Sequence, residues 1–103
     1  MVAALAPYDA LLTPTLTEPA VRIGTLPSAP ERYLEELLAW LPFTFPFNCT
    51  GQPAISVPSG FSKAGLPIGL QIVGRQNDEA GIIALAAAWE EARPWKDQHP
   101  PVD

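Results

Sequence analysis

Positive charge is scarce in this 103-residue chain, where six Lys and Arg face eleven Asp and Glu for a net charge of -5. Holding a phosphate backbone by counterion release needs the opposite sign, so no nucleic-acid partner is expected. Cysteine occurs once, at Cys49, and histidine once, at His99. One thiol makes no internal disulfide. The opening stretch, MVAALAPYD, has neither the basic n-region nor the long apolar h-region of a secretory signal. A reducing, cytoplasmic setting is therefore expected. The chain also lacks a G-x-S-x-G elbow, a G-x-G-x-x-G turn and a P-loop, so no motif asks for a cofactor or a metal.

Charge of either sign is sparse, at 17% against roughly 25% in an average soluble domain, while apolar residues reach 48%. The length bounds the chain to one domain, 1–103, with a single modest core. Residues 37–62 carry no charge at all. Length alone would let them cross a bilayer, but Pro42, Pro46, Pro53 and Pro58 forbid one continuous helix, and Asn48, Thr50 and Gln52 would need partners in lipid. No membrane contact is expected, and the stretch reads as deep protein interior. So apolar an interior in so small a chain predicts an exposed apolar face, through which the chain would self-associate or meet something larger.

What the chain does have in excess is proline, thirteen residues spread between short elements. Residues 10–16, ALLTPTL, read as a short strand stopped by Pro14. A helix is predicted to start at Ser28, with Glu31 completing a capping box and Leu34, Leu37, Leu38 and Leu41 forming an apolar stripe that Pro42 ends. AISV at 54–57 and IGLQIV at 68–73 read as strands, with Gly60 and Gly65 making a hairpin between them. Residues 78–93 form the second helix, with a stripe of Ile82, Leu85, Ala86 and Trp89. The order of elements is α/β, and the first crossover would be right-handed if its two strands run parallel.

Each candidate for chemistry has a structural explanation. A Ser-His-Asp triad can use only His99, in the tail, and neither Ser56 nor Ser59 has a signal for activation. Cys49 has no second cysteine and no nearby histidine, so it reads as a small buried hydrophobe. The sequon Asn48-Cys49-Thr50 reads as a cytosolic turn. Glu35 with Glu36, and Glu90 with Glu91, are neighbours on helices and splay apart, unlike the converging carboxylates of a glycosidase. No catalytic residue is assigned.

Three blocks carry a stronger signal: YDALLTPT, FTFPFNCTGQPAISVPSGF and GLPIGLQIVGRQNDEAGIIALAAAWEEA. In order and spacing the chain resembles, from about Tyr8 to the tail, the C-terminal segment of the amidase signature family. The resemblance implies an α/β class: a partial mixed β-sheet with two helices, the last piece of a larger α/β/α fold. It implies hydrolysis of C–N amide bonds, done in that family by a serine, a second serine in a cis peptide, and a lysine. Those residues belong to a Gly/Ser-rich segment and a lysine strand outside the matched part, and neither Lys63, Ser56 nor Ser59 corresponds to them, so the chain is expected to be inactive alone.

The same resemblance points to Leu38, Leu41 and Phe45 as substrate-pocket wall and to Asn48, with Thr50 and Gly51, as the turn shaping the cleft floor. The implied partners are the N-terminal part of an amidase domain and, in the complete protein, a small-molecule amide. Amidotransferase A subunits share the tail but often carry Cys at the position of Ser59, which favours a stand-alone amidase. Two alternatives stand beside this reading: a non-catalytic binding or assembly module, and a piece completing an amidase or amidotransferase A-subunit site in trans.

Overall fold

Apolar residues alternate with Thr, Ser and Gln along the three strands, and alternation gives a sheet two unlike faces. The computed structural model describes residues 5–100 and places these strands at β1 (Leu11–Pro14), β2 (Ala54–Phe61) and β3 (Pro67–Val73). Helix α1 spans Tyr33–Trp40 after a single 3-10 turn at Pro30–Arg32; α2 spans Phe45–Thr50 and α3 spans Glu79–Ala92.

The sheet order is β1-β3-β2, with both neighbours antiparallel to β3. The α/β class is as expected, whereas the pairing of these three strands is antiparallel throughout and not mixed. The hairpin accounts for one of the two pairings: a tight turn obliges β2 and β3 to run in opposite senses. Ser62 N–H donates to Leu66 O at 2.8 Å across that turn, and Gly65 takes φ +79°, a conformation favouring glycine. β1 and β2 point the same way but lie on opposite sides of β3, so the crossover between them joins strands that do not pair.

Ile55 stands opposite Ile72, and Val57 opposite Leu70, so all four share one face. Helix α3 covers that face with Ile82 and Ala86, and Trp89 packs alongside. Asp78 caps the helix, its Oδ1 accepting from Gly81 N–H at 3.1 Å. Leu85, assigned to the apolar stripe from sequence, is instead exposed, while Trp89 is held by its indole N–H donating to Pro58 O at 2.9 Å.

The first helix departs from expectation at its start. Ser28 does not cap through Glu31; its hydroxyl and its backbone N–H both reach Glu36, the latter at 2.7 Å. Pro30 opens the 3-10 turn and α1 follows, with none of its residues buried. Asn48 and Thr50, expected with Gly51 to form a turn, belong instead to helix α2, because Pro46 fits its first turn and Gly51 at φ +69° closes its last.

The deep interior expected for residues 37–62 is only partly present: Phe47 and Gln52 are buried, while Phe45, Asn48 and Cys49 are exposed. Cys49 lies two positions after Phe47, about 200° around the helix, so turning the phenyl ring inward turns the thiol outward. It is not the buried hydrophobe expected from sequence. No helix among the described residues is long and apolar enough to cross a membrane.

Candidate functional site

The face of the sheet away from α3 is polar at its centre. Thr13, Gln71 and Ser56 stand side by side on β1, β3 and β2. Gln71 is 4% exposed, and a buried primary amide must be hydrogen-bonded or it destabilises the fold. Its Nε2 donates to Phe43 O at 2.7 Å and to Thr13 Oγ1 at 2.9 Å. Both neighbours are acceptors here, since a carbonyl cannot donate and the Thr13 hydroxyl gives its own hydrogen to Pro14 O at 3.0 Å. The orientation of the amide is therefore determined by its surroundings. Phe43 belongs to the turn between α1 and α2, so one strand side chain ties that turn to the sheet.

Two residues beyond Thr13, Thr15 places its Oγ1 2.6 Å from the Oγ of the same Ser56. Gly69 sits between them, where a Cβ would come within 2.7 Å of one hydroxyl and 2.8 Å of the other. These hydroxyls edge a cleft of about 680 Å³ whose walls include Leu16, Pro19, Trp40, Pro58 and Ile68. Its volume is in the range of small-molecule sites, and Glu18 is its one charged lining residue. Thr17 Oγ1 lies 3.4 Å from Ala39 O, which brings the arm after β1 against the end of α1. Trp40 contributes a buried indole N–H without a partner.

The four residues singled out from sequence are on the α1–α2 segment and not in that cleft. Leu38 is on α1 and 41% exposed, Leu41 is half-buried just past its end, and Phe45 opens α2 at 50% exposed. Asn48 is exposed on α2. Gln71 gathers the turn beside Leu41 and Phe45, whereas Asn48 makes no described side-chain bond to them. The far end of α2 is fastened separately: Gln52, also buried, accepts from Thr50 Oγ1 at 3.1 Å and donates to Gly74 O at 3.0 Å.

Sequence reasoning passes over Gln71 and Gln52 as functional residues. The available signal is an amide at an alternate position of an otherwise apolar strand, a place where burial demands a specific partner.

No described hydrogen bond joins a serine hydroxyl to a lysine or a histidine: Ser56 pairs with Thr15, Ser28 with Glu36 and Arg32, and Ser62 with Leu66 N–H. The Ser28 hydroxyl, then its backbone N–H, hold the Glu36 carboxyl below the usual glutamate range, with Arg32 adding a smaller pull. Among the described residues no cluster of three or more His, Cys, Asp or Glu is arranged to hold a metal.

Residues 1–83 match the amidase family. The chain is 46% identical over 93 residues to the A subunit of the glutamyl-tRNA(Gln) amidotransferase of Thermodesulfovibrio yellowstonii, covering 89% of this chain and 18% of that protein. It is 43% identical over 96 residues to an acylamidase of Rhodococcus erythropolis, covering 90% and 20%. In three dimensions it matches 6-aminohexanoate cyclic dimer hydrolase with a TM-score of 0.79 and 38% identity, over 91% of this chain and 21% of that one. The chain thus spans about a fifth of the length of these relatives.

Proposed function

The chain belongs to the amidase family, and on that premise we propose that it is the C-terminal portion of a cytoplasmic amidase, one that hydrolyses C–N amide bonds. In this reading the chain contributes strands to the larger sheet and part of the substrate-pocket wall, with Leu38, Leu41 and Phe45 facing the substrate and Asn48 at the adjoining turn of helix. It has no Ser-Ser-Lys triad of its own and does not turn over amides alone.

The observation that carries the reading is the uncovered apolar surface of the α1–α2 segment. Leu34, Leu38 and Phe45 are large apolar side chains left open to water, beside a turn that the sheet holds in place. Side chains of this kind suit an apolar amide or the wall of a larger domain. The pairing of every described serine hydroxyl bond with something other than a lysine supports the absence of a triad. The relatives among amidotransferase A subunits favour a second reading, in which the chain completes the site of such a protein.

The test is an amidase assay on the purified chain with an acyl anilide and with glutamine. No turnover is expected with either. Hydrolysis that survives purification and disappears in Ser56→Ala or Ser59→Ala would overturn the reading. If the domain is completed with the missing part, release of aniline favours the stand-alone amidase and release of ammonia from glutamine favours the second reading.

A further inference from the structure

We infer that Gln71 is a positioning residue for the substrate wall: its side-chain amide, planted in the middle strand, holds the turn between α1 and α2 and so sets where Leu41 and Phe45 stand. The inference rests on the pocket-wall reading and adds to it the device that orients the wall.

The geometry singles out this amide. Gln71 is nine-tenths buried, and both hydrogens of its Nε2 are engaged, one by Phe43 O at 2.7 Å and one by Thr13 Oγ1 at 2.9 Å. Phe43 lies two residues from Leu41 and two from Phe45, so its carbonyl is at the centre of the segment to be placed. The turn's other polar links are local or longer. Thr44 Oγ1 donates back to Leu41 O at 3.3 Å within the turn itself, and Thr17 Oγ1 stands 3.4 Å from Ala39 O.

Apolar packing offers little alternative hold, because α1 has no buried residue and α2 has one, Phe47. Gln71 is therefore the short polar tie between the sheet and this turn. The sheet end of the tie is itself fixed, since Thr13 donates onward to Pro14 O and β1 is in register with β3 at Thr13 and Gln71. A strand side chain gripped at one end by the sheet transmits the sheet's rigidity to a turn that lacks a core of its own.

The test uses amide hydrogen exchange by NMR on the 103-residue chain. In the unsubstituted protein the side-chain amide protons of Gln71 are expected to exchange at least about tenfold more slowly than those of exposed Gln98, because buried, hydrogen-bonded donors must first break free to meet water. In Gln71→Leu the backbone amides of Thr44, Phe45 and Phe47 are expected to exchange several-fold faster, about three- to tenfold, while those of Ile72 and Val73 change by less than about twofold. Thr13→Val, which keeps the Phe43 bond and removes only the grip at the sheet end, is expected to speed the turn amides less than Gln71→Leu does.

Equal exchange of the Gln71 and Gln98 side chains would overturn the inference, as would acceleration spread evenly over turn and sheet. Should Gln71→Leu fail to fold, the side-chain measurement on the unsubstituted chain decides alone. The wall reading fails differently: the tie would be intact, and Phe45→Ala would leave the KM of the completed amidase unchanged.

Discussion

Thr15, the residue just after β1, and Ser56, on β2, meet hydroxyl to hydroxyl at 2.6 Å across the backbone of Gly69, although β1 and β2 do not pair. The contact exists because the strand between them carries no side chain there. A Cβ at position 69 would stand within 2.8 Å of both oxygens. Gly69→Ala is accordingly expected to destabilise the chain by about 1–3 kcal/mol, as overpacking does. Urea denaturation measures this, and a midpoint unchanged by the substitution would show that the hydroxyls move aside freely.

Gly74 marks a second close approach, at the end of β3. A Cβ built there comes within 2.5 Å of Ile82 Cγ2, and Ile82 is one of the buried residues that dock α3 on the sheet. Gly74→Ala should push the helix off the sheet and lower stability by about 1–3 kcal/mol. Ile82→Ala should cost about 2–4 kcal/mol by opening a cavity. In the double variant the combined loss should be smaller than the sum of the two single losses, because the removed side chain relieves the clash; thermal denaturation of the three variants beside the unsubstituted chain completes the cycle.

Glu36 predicts a pH effect at the start of α1. Its pKa is lowered in the folded chain by the Ser28 hydroxyl and N–H, so the unfolded state binds the proton more readily. The contribution to stability is present above the unfolded value, about 4.3, and is lost as pH falls through the folded one. Titration followed by the Glu36 carboxylate carbon should give a midpoint below the ordinary glutamate value. In Glu36→Gln the acid-side change at Ser28 N–H should vanish.

Much of the architecture is legible in the sequence because local chemistry and tertiary packing agree. In α3, a capping Asp78, an Ile82–Ala86 stripe and Pro94 after its end all mark the same boundaries. The β2–β3 hairpin announces itself through its glycines. Sequence and structure part where a local rule has two outcomes. Pro46 breaks a helix in its interior but here opens one, and Ser28 has a capping partner three residues on yet takes Glu36 eight residues on.

The candidate site is less legible than the fold. An apolar stripe such as Leu34–Leu38 looks the same in sequence whether its own chain covers it or not. The role of Gln71 depends on a turn 28 residues away, a separation that no periodicity reports. Leu38, Leu41, Phe45 and Asn48 come from family resemblance alone, since no periodicity or spacing in the sequence separates a substrate-facing wall from ordinary helix surface.

The most direct measurement grafts this chain in place of the matching segment of the Rhodococcus erythropolis acylamidase and follows hydrolysis of an acyl anilide. The chimera is predicted to be active, and Phe45→Ala within it to raise KM by about three- to tenfold, the loss of roughly 1 kcal/mol of apolar contact, with kcat within about twofold. An active chimera whose KM ignores both Phe45→Ala and Leu38→Ala would contradict the claim that this segment faces the substrate.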